Sequence, residues 1–363
     1  MRLVSTAYHP VSGFTDPQLW LDRIDFYTCI LEALAATGEV HSIEHIGIRT
    51  MLLQKGVHYH FRPLGAFSAR FPLADHRFLR RLQPDAVLVH GVSVPLQLLQ
   101  LRATLGSKVK ILLWHRDEQP PNGWRAVLQR RASRVADGYL FTSPGNAAPW
   151  IEKGILEERK MHYLLHASSV FLPGDGTTIR AEFDLSDHPL FLWVGRLDAN
   201  KDPLTVLSAF ERVLQLHPGI RLAMAYGSGD LEETVRSRVA QSTLLKDAVI
   251  LLGKVAHKDL QQWYRAADYF VSASHYEGGG IAFCEALSCG CVPVYSRIPS
   301  LAHLAGPWGV SFPPGDVPLL ERALRTALLP EITNQRAAVI QRFQEHFSPG
   351  AIAAGLRNVL SSL

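Results

Sequence analysis

Short apolar runs, rich in β-branched and aromatic residues, alternate along the chain with longer stretches whose apolar positions recur every three to four residues. Strands buried on both faces read as continuous apolar runs, so this alternation predicts parallel sheets joined by crossover helices. Two series of six strands are expected. The first covers 3–7, 40–46, 86–90, 110–114, 138–142 and 161–165, and the second 190–194, 222–226, 249–252, 269–272, 292–295 and 309–312. Between them, Leu172-Pro173-Gly174-Asp175-Gly176-Thr177-Thr178 has no apolar period and is built of turn formers, which places a hinge there. The expected organisation is an α/β domain over 1–172, a second over 178–335, and a helical segment over 336–363 broken near Ser348-Pro349-Gly350. Open α/β sheets take ligands beyond the carboxyl ends of their strands, so two such domains facing one another are expected to enclose a cleft.

Composition narrows the class. A chain of 363 residues exceeds what one core usually supports, and 47% apolar against 19% charged residues supply two. The net charge of +4 is too small for nucleic acid to be the main partner. No apolar run reaches a membrane span, and Met1 to Ser5 enter a strand without a signal-peptide layout, so a cytoplasmic protein is expected. The stretch Trp124 to Val135 has the spacing of a basic amphipathic helix. Its apolar Trp124, Val127, Leu128 and Val135 are expected on the first sheet with the arginines in water, and peripheral membrane contact is the less favoured alternative. Cys284, Cys289 and Cys291 straddle a helix end and have no zinc-site spacing, so reduced thiols and no metal are expected.

Candidate chemistry gathers in the second half. Behind the strand at 269–272 comes Tyr276-Glu277-Gly278-Gly279-Gly280-Ile281, a glycine turn that opens a helix ending at Gly290. Free N–H groups at such a start carry partial positive charge, so the amides of Gly278, Gly279, Gly280 and Ile281 are candidates for a phosphate or for sugar hydroxyls. Glu285 lies at i+4 from Ile281, where its side chain leans back toward the helix start and can accept from vicinal ribose hydroxyls. The loop Gly195-Arg196-Leu197-Asp198-Ala199-Asn200-Lys201 places two cations at the same edge, suited to a diphosphate. In the first domain His115 follows the strand at 110–114, and Gly13 lies in the turn after the first strand, where its amide is a candidate phosphate contact.

These residues resemble the retaining GT-B glycosyltransferases of family 4, the glycosyl transferases group 1 proteins. The resemblance covers Gly195-Arg196-Leu197, Lys201-Asp202, Gly227-Ser228-Gly229, Leu252-Gly253, Ala267-Asp268, Glu277 through Glu285, Cys289-Gly290 and Pro313-Pro314-Gly315-Asp316. In the first half it is confined to Pro84 through His90 and the strand ending at His115. It implies a GT-B fold, two Rossmann-like domains facing across a cleft, with the C-terminal helix returning to the first. It also implies an acceptor site in the first domain and a nucleotide-sugar site in the second. It assigns Arg196 and Lys201 to the donor diphosphate, Glu285 to the ribose, Glu277 and the amides at 278–281 to the donor sugar, His115 to a place beside that sugar, and Gly253, Lys254 and Val255 to the base. Two departures stand out: Ser12-Gly13 where the family often has paired glycines, and Gly279 in place of a frequent aromatic. The implied reaction is metal-independent hexosyl transfer with retained configuration, from a nucleotide-diphosphate sugar to a hydroxyl of a saccharide, a lipid-linked acceptor or a small molecule. No cofactor is implied. An epimerase or hydrolase of nucleotide sugars, or a silent nucleotide-sugar-binding subunit, fits the same cradle.

Overall fold

A computed structural model describes residues 1–363. The chain divides into two units, Met1–Ser168 together with Pro349–Leu363, and Ser169–Ser348.

The first unit is built on β1 (Arg2–Thr6), β2 (Glu39–Glu44), β3 (Thr50–Gln54), β4 (Val57–Phe61), β5 (Ala86–His90), β6 (Lys110–Trp114), β7 (Gly138–Phe141) and β8 (Met161–Tyr163). They form one sheet in the order β3-β4-β2-β1-β5-β6-β7-β8, parallel throughout except for β3 against β4. Every residue of β5 is buried, as a central parallel strand requires. Helices Leu73–Arg81, Pro95–Leu105 and Gly123–Ser133 lie side by side and bury Leu79, Leu98, Leu101 and Ala132 against Val87, Val89 and Ile111. The helix Pro349–Ser362 packs on helix Asp25–Ala35, which in turn rests on β2 and β4.

The second unit contains β9 (Leu190–Gly195), β10 (Arg221–Tyr226), β11 (Val249–Gly253), β12 (Tyr269–Ser272), β13 (Val292–Ser296) and β14 (Val310–Phe312), all parallel in the order β11-β10-β9-β12-β13-β14. Helices Pro203–Leu214 and Val317–Ala327 place Val206, Phe210, Leu320 and Leu324 against Phe191, Leu222 and Val294 in its core.

All twelve expected strands form, and the sequence reading lacked the β3–β4 hairpin. Its two-residue turn is Lys55-Gly56, both with positive φ (46° and 81°), the conformation that matches the twist of paired strands. Two boundaries also differ. Residues 169–172 belong to the second unit, because Ser169 accepts a hydrogen bond from Ser288 (3.0 Å) and the Leu172 carbonyl one from Arg265 (2.9 Å). The segment 336–363 is divided rather than single. Helix Arg336–His346 stays with the second unit because Arg336 and Arg342 donate to Cys289 O (2.9 Å) and Leu304 O (2.6 Å), carbonyls left over at the ends of two helices. Only Pro349–Leu363 returns to the first unit. No helix is long and apolar enough to cross a membrane.

Candidate active site

Strand order in the second sheet reverses between β9 and β12: from β9 the chain builds outward through β10 and β11, then returns to start β12 on β9's other side. Crossover helices on opposite faces leave a crevice at such a switch, beyond the carboxyl ends of the two strands. The loops leaving β9 and β12 are the two that carry the charged candidates.

Their side chains tie them together. Asn200 accepts from the Tyr276 amide (3.0 Å) and donates to its carbonyl (3.1 Å), while Asn200 O accepts from the His275 amide (2.8 Å). His275 and Asp202 add a contact at 3.1 Å. This lattice brings the Lys201 ammonium against Glu277, whose carboxylate also accepts from the Ser274 hydroxyl at 2.7 Å. Lys201, Glu277, Gly280 and Ile281 line one cavity of about 20 Å³, floored by Trp193 and Phe270. Gly280 sets its rim. At φ +58° it begins helix Ile281–Cys289 from the left-handed region, and a Cβ there meets Leu301 and Leu304 at 3.2 Å, so only glycine fits without strain. Gly278 and Gly279 do not have positive φ, so the backbone demand falls on one glycine of the three.

Arg196 is placed differently from Lys201. It is 71% solvent-exposed as a side chain, pairs with Asp198 at 3.0 Å and is absent from the cavity wall. Asp198 also accepts from the Lys201 amide (2.9 Å), so one carboxylate orders both ends of the cation loop. The loop's outer side is fixed by Gly229, where a Cβ would lie 2.3 Å from Leu197 O.

Glu285 is buried on the first full turn of the helix, and both its oxygens have partners within the chain: His257 at 2.6 Å and the Tyr264 hydroxyl at 2.9 Å. Burial, reinforced by the adjacent carboxylate, pushes the Tyr264 phenol well above its ordinary value, which keeps it protonated as the donor. Each carboxylate oxygen retains a second acceptor position. Phe171 lies against His257 with ring centroids 4.7 Å and planes 31° apart. Gly253, with φ +64°, ends β11, and Lys254 and Val255 follow it toward His257 at the edge of the sheet. Asn200, Ser274, His257 and Tyr264 were not singled out from sequence. For the last two a signal existed: they lie seven residues apart on helix His257–Ala266, two turns along one face.

In the first unit His115 stands at the carboxyl end of β6, as expected, but it is fully buried. It stacks on Phe141 (centroids 4.3 Å, planes 11° apart), its Nε2 donates to Glu118 O at 2.9 Å, and its Nδ1 has no partner. Burial lowers its pKa, so the ring is neutral near pH 7. Gly13 is exposed at φ +82° with open space around its Cβ position. The helix Gly123–Ser133 corrects the expected packing of its apolar residues. Its inner face is Gln129, Ala132 and Ser133, Leu128 and Val135 are half-buried, and Trp124 and Val127 are exposed at 70% and 47%. The chain assembles no group of three or more His, Cys, Asp or Glu side chains able to hold a metal ion.

Residues 175–346 match the family model described as Glycosyl transferases group 1. The chain carries a glycosyl transferases group 1 domain. Every charged residue of the cradle lies inside it. Among curated proteins, the chain is 33% identical over 250 residues to the GDP-mannose:cellobiosyl-diphosphopolyprenol alpha-mannosyltransferase of Xanthomonas oryzae pv. oryzae, covering 67% of this chain and 63% of that protein. It is 29% identical over 197 residues to the D-inositol 3-phosphate glycosyltransferase of Streptosporangium roseum, covering 51% and 45%. The chain therefore spans less than two thirds of either relative. Among solved structures, sucrose-phosphate synthase from Thermosynechococcus elongatus superposes with a TM-score of 0.76 at 19% identity, covering 100% of this chain and 99% of that one. Anabaena HepE, solved in complex with UDP, gives 0.75 at 15% identity, covering 100% of both. At such identities the likeness is one of fold, and it extends over both sheets, in agreement with the GT-B expectation.

Proposed function

We propose that the protein is a glycosyltransferase that moves a sugar from a nucleotide-diphosphate sugar to a hydroxyl acceptor with retention of configuration. The observation that carries this reading is the Lys201–Glu277 pair at the strand-order switch, beside the helix start at Gly280. An ammonium held at a fixed place next to outward-pointing amides is preorganised for charge that develops on a departing diphosphate, which is where such groups lower a barrier most. Lys201 is the near cation, and Arg196, long and exposed, supplies a second by swinging from Asp198. Glu277, oriented by Ser274, accepts from the donor sugar's hydroxyls, and Glu285, braced by His257 and Tyr264, accepts from the ribose. The unpartnered Nδ1 of His115 is a buried acceptor kept for a hydroxyl. In the transfer, the bond from the anomeric carbon to the diphosphate breaks as the acceptor oxygen enters on the same face. The leaving phosphate oxygen takes the acceptor's proton, and no residue forms a covalent bond to the sugar. Residues of the chain neutralise the diphosphate without a metal.

The relatives support a nucleotide-sugar donor, and one acts on a diphosphopolyprenol-linked saccharide. A thermal-shift panel of uridine, guanosine and adenosine diphosphates and their sugars identifies the donor, because a ligand specific to the native state raises its stability by mass action. Product analysis with and without an added acceptor then separates transfer from hydrolysis or epimerisation. Absence of stabilisation by every nucleoside diphosphate overturns the proposal.

A further inference from the structure

A second cavity, of about 170 Å³, lies within the first unit at the amino ends of β1 and β2, away from the carboxyl ends where α/β sheets usually take ligands. Its floor is apolar. Leu3 and Val40 are register partners on the two adjacent strands, Leu34 joins them from the last turn of helix Asp25–Ala35, and all three are no more than 3% exposed. The helix Pro349–Ser362 supplies a wall, with Arg357 and Ser361 four residues apart and so on one helix face. Lys110 donates to Leu363 O at 2.5 Å and anchors the end of that helix beside β6.

One charged side chain lines the mouth. The Arg357 guanidinium donates to Thr37 Oγ1 over 3.3 Å and pairs with no carboxylate. Glu39, two residues beyond Thr37, is already held by Arg2 at 2.8 Å and by His41 at 3.0 Å. The Leu34 carbonyl at the helix end is likewise taken, by the Thr37 amide at 3.1 Å. An apolar floor with a few convergent polar groups is the composition of a small-molecule pocket. A single guanidinium fork matches the two oxygens of a carboxylate, whereas the greater charge of a phosphate asks for more donors than this mouth has. Size sets the rest of the ligand: an apolar cavity of about 150 Å³ takes up benzene, so roughly six carbons fill this one. We infer that the cavity binds a small monocarboxylate with an apolar body of about six carbons, which ties the helix Pro349–Ser362 to the strands and helix beneath it. The inference does not depend on the proposed transfer reaction.

Calorimetric titration of the full chain with hexanoate, hexanol and hexylamine tests it. Expected is saturable binding of one hexanoate per chain, about tenfold weaker binding of hexanol, weaker binding still of hexylamine, and a melting temperature that rises with hexanoate. Arg357→Gln lowers the affinity for hexanoate by about tenfold and leaves that for hexanol unchanged, which removes the preference. Ser361→Trp, at an exposed position, plugs the mouth and abolishes binding of both. Melting temperatures without ligand confirm that the variants fold, and Val40→Phe, which fills the floor, substitutes if Ser361→Trp does not. No saturable binding of hexanoate overturns the inference. Equal affinities for hexanoate and hexanol overturn the carboxylate, binding retained in Ser361→Trp overturns the cavity in favour of another surface, and binding lost in Lys201→Ala overturns it in favour of the candidate active site.

Discussion

The two sheets each reverse strand order once, and they use the resulting crevice in opposite ways. In the second unit the switch between β9 and β12 presents a lysine, a carboxylate and a helix start to a cavity. In the first unit the switch lies between β1 and β5, and the chain fills it with its own side chains. Glu118 accepts from the Val92 amide (3.0 Å) and the Arg116 amide (2.9 Å), lying so close under Gly91 that a Cβ there would be 2.7 Å from Oε1. His90 bonds Ser5 at 2.8 Å, and His90, His115 and His166 are all buried with lowered pKa values. The carboxylate takes amides that an anionic ligand would otherwise take, and the Nδ1 atoms of His115 and His166 are left there as buried polar atoms without a partner. One topology thus yields a cavity lined by charged side chains in one unit and a structural plug in the other. Topology nominates a crevice, and its side chains decide whether a ligand is needed.

The sharpest test of that contrast is Lys201→Ala, expected to reduce turnover by roughly 10²–10³ at a melting temperature within a few degrees of wild type. Wild-type turnover would remove the second switch from the chemistry. The histidines give the next largest effect. His90 is pushed down to about 3 and His76 to about 4 by burial, and His166 well below 6.5. The unfolded chain binds these protons first, so the stability they confer is full above pH 6.5 and erodes as pH falls from there toward the folded values. Each such group costs roughly 1 kcal/mol per pH unit in that window. Limited proteolysis between pH 7 and pH 5 should therefore open peptides of 1–168 before those of 169–348, and simultaneous opening breaks the contrast.

A smaller effect is expected for Glu118→Gln, which turns an amide donor toward a backbone donor. It should lose roughly 1–3 kcal/mol of stability in denaturant unfolding with donor affinity unchanged, and altered donor affinity would make the first crevice a receptor too. Smallest is His257→Ala, expected to weaken a bound nucleoside diphosphate by about tenfold, the scale of one charge-assisted hydrogen bond. The same substitution should leave the 2′-deoxy ligand nearly unaffected. Equal weakening of both in calorimetry would mean that His257 serves the fold rather than Glu285.

What was legible in the sequence follows the same divide. Glycines and charges at strand ends mark a candidate site, and the structure brings Lys201, Glu277 and Gly280 to one cavity with Glu285 buried on the helix that follows. The mutual neutralisation of Glu277 and Lys201 was not legible, because they are 76 positions apart and only the β9–β12 adjacency joins them. The plug at Glu118 left no pattern, since a carboxylate beside His115 reads the same whether it faces solvent or backbone amides. The β3–β4 hairpin escaped because Met51 and Leu53 point their apolar side chains to solvent, against the rule that strands hide them. Trp124 was misplaced for the mirror-image reason: its helix buries the small and polar Ala132, Ser133 and Gln129 instead.

The first unit is assembled from two stretches of chain separated by the whole of the second. A ribosome delivers residues 169–348, which form a complete sheet of their own, before it delivers Ile352, Leu356 and Leu360 to helix Asp25–Ala35. The nascent protein therefore finishes its later half first, and its earlier half waits with that helix uncovered, the interval in which a chaperone has most to protect.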